Sequence, residues 1–230
     1  MGAFLNTVVA GSLLVISLPS FSKEASVPLP RPKPEGLPST QPSELHSGCE
    51  QELAAIVIAA KQHVVTGPDG CGGSDLFRLT AVTLPGGASL GFNPPAVLRC
   101  EVALAVARWV RNEVTAIIQD KAGAMPISLE VAASYECRGR NRVRGAKLSE
   151  HGTGNAIDIR GLDLSNGHTL VLTSAAEPKA LREGVRESAC RVFTTVLGPG
   201  SDGYHEAHVH LDLRQRKGGY RICQWDVRDQ

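Results

Sequence analysis

Four of the chain's seven histidines fall in two short segments. One runs Ser149-Glu150-His151-Gly152-Thr153-Gly154-Asn155-Ala156-Ile157-Asp158-Ile159, the other His205-Glu206-Ala207-His208-Val209-His210-Leu211-Asp212. In a strand, residues two apart share a face, so His208, His210 and Asp212 are expected to project together. With His151 and Asp158 from a preceding turn and strand, these imidazoles could surround one cation. Nitrogen and oxygen donors of this kind suit Zn²⁺, and three protein ligands would leave a position open for water, the arrangement of a catalytic rather than a structural site. Gly152 and Gly154 lack the full spacing of a phosphate loop; they read instead as turn residues that let His151 and Asp158 converge. His46, His63 and His168 are isolated and read as surface or helix-end residues.

The elements that must position these residues can be read from the pattern. Glu52 to His63 has helical spacing (Leu53, Ile56, Val57, Ala60) and Leu79 to Leu84 reads as a strand entering the Pro85-Gly86-Gly87 turn. A long helix is expected from Pro94 to Asp120, with Asn93 as cap, the two prolines in its first turn and Gly123 past its end. Its buried stripe would be Leu98, Val102, Ala105, Trp109 and Ile117. Ile127, Leu129 and Val131 alternate as a strand, and Leu170 to Leu172 suggests another. Glu177 to Leu197 reads as a helix stopped by Gly198-Pro199-Gly200, and Ala207 to Leu213 as a half-buried strand. Strands and helices do not alternate as in βαβ units, which favours an α+β fold with a largely antiparallel sheet.

Composition sets the outer bounds. The chain has 230 residues, with 24 Lys plus Arg against 23 Asp plus Glu, so it lacks the basic surplus that phosphate contacts demand, and no nucleic-acid partner is expected. Residues 1–22 carry an apolar stretch too short for a comfortable membrane span, closed by Pro19 and small residues. They read as a secretory signal peptide, with an uncleaved N-terminal anchor as the alternative. No later stretch is long enough for a transmembrane helix. Residues 23–47, rich in proline, read as an extended linker, and 48–230 as one folded domain. An even cysteine count suits disulfides in an exported protein. The pairing adopted as an expectation joins Cys49 with Cys71, Cys100 with Cys137 and Cys190 with Cys223.

Ser149, His151, Gly154, Ala156 and Asp158 match Ser-x-His-x-x-Gly-x-Ala-x-Asp in full. With the distal His208-x-His210, this resembles the LAS group of zinc peptidases, which includes D-Ala-D-Ala carboxypeptidases, murein endopeptidases and the hedgehog fold. Over about residues 48–225 the chain resembles the bacterial extensin-like C-terminal domain. The marks are Cys100 ahead of a Trp109-bearing helix, Ser134-Tyr135-Glu136-Cys137-Arg138, Ala189-Cys190, Val196-Leu197-Gly198-Pro199-Gly200 and His208-Val209-His210-Leu211-Asp212. The resemblance implies a hedgehog/DD-peptidase-like fold and His151, Asp158 and His210 as zinc ligands, with His208 beside the metal. His205-x-x-His208-x-His210 is similar to the murein endopeptidase version, in which the non-ligand histidines assist. Carboxypeptidase relatives place a Glu three residues before the last ligand; here that position is Ala207, and Glu206 is one residue off.

Arg138 resembles the Arg that faces the scissile group in carboxypeptidase relatives, and with Arg140, Arg142 and Arg144 it forms a basic patch. Asp212 is expected to orient a ligand histidine. The implied function is an exported zinc peptidase of the periplasm or cell envelope acting on peptidoglycan or its stem peptides, with His208 and His205 moving the proton. The alternative is an envelope-binding module that keeps zinc without turnover.

Overall fold

The structure, a computed structural model, describes residues 42–227, with side chains from residue 48. The expected signal peptide and nearly all of the expected linker lie outside the described residues. Helix α1 (Pro42–Ile56) already begins within the last residues given to the linker. It leads into β1 (Val57–Lys61), a short ribbon of β2 (Val65–Thr66) and β3 (Gly72–Gly73), and the hairpin of β4 (Leu76–Thr83) and β5 (Ser89–Arg99). Helix α2 (Cys100–Trp109) passes through a π-helical turn, Val110–Val114, into α3 (Thr115–Ala122), which Gly123 ends in the left-handed conformation with φ 62°. Then come β6 (Pro126–Ala133), β7 (Ala156–Leu164), β8 (Thr169–Val171), α4 (Lys179–Val192), β9 (Thr195–Leu197), β10 (Val209–Asp212) and β11 (Ile222–Gln224).

Nine strands form one sheet in the order β1-β4-β5-β6-β7-β10-β9-β11, with β8 paired to β7. Only β5–β6 and β9–β11 are parallel pairs. The fold is α+β with a mixed, mostly antiparallel sheet packed with helices, and three disulfides brace it.

Two of the expected helices are shorter than their periodicity predicts, and in both cases strand pairing takes the rest. The helix over 52–63 stops at Ile56 because Val57–Lys61 pair with β4. The helix over 177–197 stops at Val192 because Thr195–Leu197 pair with β10. The long helix starts at Cys100, not Pro94. Gly91–Asn93 pair in parallel with β6, and pairing with β4 resumes only at Ala96, so Pro94 and Pro95 sit in a bulge that needs no N–H donor. Of the expected stripe, Leu98, Val102 and Trp109 are buried, while Ala105 and Ile117 are half-buried at the core's edge. Trp109 packs edge-on against Phe193 with ring centroids 5.5 Å apart, and its indole N–H donates to Ser188 Oγ at 2.8 Å, which ties α2 to α4.

The disulfides are Cys49–Cys100, Cys71–Cys137 and Cys190–Cys223. The third is as expected; the first two exchange partners relative to the expectation. Helix α1 lies against α2, bringing Cys49 to Cys100, whereas Cys71, on the turn before β3, meets the segment after β6. Among the described residues, no helix is long and apolar enough to cross a membrane.

Strand alternation builds the site. On β7, Ile157 and Ile159 enter the core, which leaves Asp158 on the opposite face; on β10, Val209 and Leu211 do so, leaving His210 and Asp212. The expected half-buried alternation of 207–213 is therefore incomplete: Val209–Asp212 are all buried, because the polar side of β10 is the floor of a cleft.

Candidate metal centre

His210 and Asp158 are direct partners in the antiparallel β7–β10 ladder, which sets their side chains next to each other. Between β6 and β7 the chain makes a single 3₁₀ turn, Glu150–Thr153. Ser149 caps it by accepting from the His151 N–H, and Gly154 closes it at φ 67° with its own N–H donating to the His151 carbonyl. A Cβ on Gly154 would lie 2.4 Å from a Leu76 methyl, so only glycine lets the turn seat this closely. The turn delivers His151 onto the strand pair.

Three donor atoms then meet. His210 Nδ1 is 2.8 Å from Asp158 Oδ1, His151 Nε2 is 3.1 Å from the same oxygen, and the two ring nitrogens are 3.2 Å apart. A circle through three atoms at these separations has a radius of about 1.8 Å, so a point ~2.1 Å from all three exists just off their plane, the bond length of a small divalent ion. The buried His151, Asp158 and His210 group could hold a metal ion.

The surrounding hydrogen bonds aim these atoms. His151 donates Nδ1–H to the Ser134 carbonyl at 2.7 Å, so Nε2 faces the triad. His210 Nε2 lies 3.2 Å from Asp212 Oδ2, which turns Nδ1 inward. That is the orienting contact expected of Asp212. Burial works against the charged form of Asp158, but hydrogen bonds from His151 and His210 outweigh it and hold the carboxyl well below the usual carboxylate range. Burial likewise opposes charge on His210, yet the bonds to Asp158 and Asp212 prevail and push it up to about 9. In the metal-free protein a proton therefore occupies the space between these donors.

The other expected residues gather around the triad. His208 Nε2 is 3.5 Å from Asp158 Oδ2; its ring is partly exposed, and desolvation keeps it below the ordinary histidine range despite that carboxylate. His205 is buried, with ring centroids 5.2 Å from His208 and 5.5 Å from His210. Its Nδ1 donates to Asp202 Oδ1 at 2.7 Å. Arg138 places Nη2 3.9 Å from Asp158 Oδ2 while Nε donates to Glu136 at 3.0 Å. Glu206 faces away, accepting from the Gly200 N–H at 3.1 Å. His168 pairs with Glu177 on the surface, apart from the site.

The triad, Asp212, His205, His208, Asp202 and Arg138 line an open cleft of about 660 Å³. Residue-type reasoning missed several of its members: Asp202, Arg160, Arg214 and Arg216. A signal was there to be read. Arg160 is two residues from Asp158, and Arg214 and Arg216 continue the alternation of His208, His210 and Asp212.

The family model described as extensin-like protein C-terminus matches residues 47–224. The chain belongs to that family. The match takes in every element of the extensin-like domain from α1's second half to β11, including both histidine segments. No curated protein and no solved structure matches the chain.

Proposed function

We propose that this extensin-like domain is a zinc-dependent peptidase of the cell envelope that cleaves peptidoglycan peptides, related to the LAS peptidases. One observation carries the reading: the donor atoms of His151, Asp158 and His210 lie within 3.2 Å of one another at the floor of an open cleft that two further histidines line. Two imidazoles and a carboxylate form a borderline donor set, fitting zinc better than a hard, all-oxygen cation. Three disulfides among the described residues support an oxidising, exported setting.

Bound zinc would supply a water acidic enough to ionise near neutral pH and a Lewis acid for a carbonyl. The chain's own groups do the rest. His208, held neutral at pH 7 by its desolvation, accepts a proton at the mouth of the triad. With His205 beside it, fixed by its Nδ1–H to Asp202, His208 then returns that proton to the leaving amine. Arg138, steadied by Glu136, directs its remaining N–H groups toward a developing oxyanion or a substrate carboxylate.

A second reading has its own support: Ala207 stands where carboxypeptidase relatives carry Glu, and Glu206 is turned to the Gly200 N–H, which is what an envelope-binding module without turnover would show. Incubation of the zinc-loaded protein with purified muropeptides separates the two. Cleavage that a chelator abolishes and His208→Ala reduces at least a hundredfold is expected for the peptidase; zinc bound one to one with no product under any condition leaves the binding module.

A further inference from the structure

The cleft is far more basic in its arginines than the chain as a whole, whose charges nearly cancel. Six arginines line it: Arg138, Arg140, Arg142, Arg160, Arg214 and Arg216. Three have carboxylate partners, Arg138 and Arg142 on Glu136 and Arg214 on Glu150. Among the described residues no carboxylate pairs with Arg140, Arg160 or Arg216. Arg216 instead donates to the Thr194 carbonyl at 3.2 Å and to Thr195 Oγ1 at 2.7 Å.

The sheet register fixes where two of them stand. Val209 pairs with Ile159, so Arg160 on β7 is level with His208, one step beyond the triad on one side. Thr195, which holds Arg216, pairs with Asp212, one step beyond it on the other. From His208 to Asp212 is four residues of strand, or ~13 Å. Cationic groups thus flank the triad on both sides at the length of about four residues of extended peptide.

We infer that the cleft selects an extended peptide carrying free carboxylates on both sides of the bond presented to the triad, with Arg160 gripping one and Arg216 the other as specificity-determining residues. This rests on the peptidase reading and adds the substrate's charge pattern to it. Guanidinium groups bind carboxylates through paired N–H donors. The lining's own acids, Glu150, Asp158, Asp202 and Asp212, leave it only slightly cationic, which matches a few spaced carboxylates better than the dense charge of a phosphate polymer.

The test measures binding, not turnover, and so stands or falls separately from catalysis. Fluorescent hexapeptides with glutamate near both ends, near the N-terminal end only, near the C-terminal end only, or replaced throughout by glutamine are titrated by anisotropy against the full chain. The doubly acidic probe is expected to bind at least tenfold tighter than the glutamine probe, and the difference is expected to shrink with salt. Arg160→Gln and Arg216→Gln are each expected to weaken the doubly acidic probe about tenfold, and each to affect only one of the two singly acidic probes. Circular dichroism and zinc content that stay at wild-type values confirm that the variants remain folded. Equal binding of acidic and glutamine probes, indifference of both variants, or tighter binding of a glycerol-phosphate oligomer would overturn the inference.

Discussion

Zinc can enter the His151–Asp158–His210 group only by displacing a proton, and the site fixes the size of the effect. With His210 pushed up to about 9, its ring at pH 7 is protonated in about 99 of 100 metal-free molecules. Asp158 is already ionised and His208 already neutral at that pH, so neither has a proton to give up. Zinc binding at pH 7 should therefore release about one proton, and apparent affinity should climb about tenfold per pH unit toward pH 9 and flatten beyond it. Across those two units the difference is about 3 kcal/mol of binding free energy.

The sign for folding runs the other way. A histidine whose pKa is raised from 6.5 contributes stability that is complete below pH 6.5 and is lost as pH rises through about 9. The zinc-free protein thus weakens over that range while the zinc-loaded one, its His210 already deprotonated, holds level, and the gap between their melting temperatures widens. Calorimetric titration of stripped protein with zinc in buffers of different ionisation enthalpy reads the proton count directly. Release of about one proton at pH 7, falling above pH 9 and reduced in Asp212→Asn, is expected. No release, with an affinity flat from pH 6.5 to 9, would refute the geometry argued for His210.

Three further outcomes follow from the packing. Gly154→Ala, which puts a side chain at φ 67° against Leu76, should cost about 1–3 kcal/mol in urea unfolding and weaken zinc binding by lifting the His151 turn. Replacing Cys71 and Cys137 together by serine removes a cross-link spanning 66 residues and should cost up to about 4 kcal/mol, read from the urea midpoint. Ser188→Ala leaves the buried Trp109 N–H unpaired and should cost about 1–3 kcal/mol, with an altered indole fluorescence but unchanged zinc content.

The site was more legible than the elements around it. His210 and Asp212 share a face as strand spacing predicts, because alternation on β10 is a local property of the chain, and His151 and Asp158 lie beside His210 as the resemblance implied. The α+β class was legible for the same reason. Helix ends at Ile56 and Val192 were not, since both are decided by strands far away in sequence that compete for the same residues. The start of the long helix was misread because Pro94-Pro95 suits a helix's first turn as well as a bulge, and only pairing of Gly91–Asn93 with β6 decides between them. Two of the disulfides differ likewise, since six cysteines carry no pairing signal of their own and it is α1 packing on α2 that joins Cys49 to Cys100 and leaves Cys71 to Cys137. Asp202 went unnoticed because its role exists only through the ring of His205.

The proposed function requires one divalent ion gripped jointly by His151, Asp158 and His210. Elemental analysis after zinc loading and exhaustive dialysis tests it most directly, comparing the native chain with Asp158→Asn and His210→Ala, all checked for folding by circular dichroism. One zinc per native chain and less than about a tenth in each folded variant is the predicted result. Zinc retained at full stoichiometry by both variants, or absent from the native chain, would contradict it.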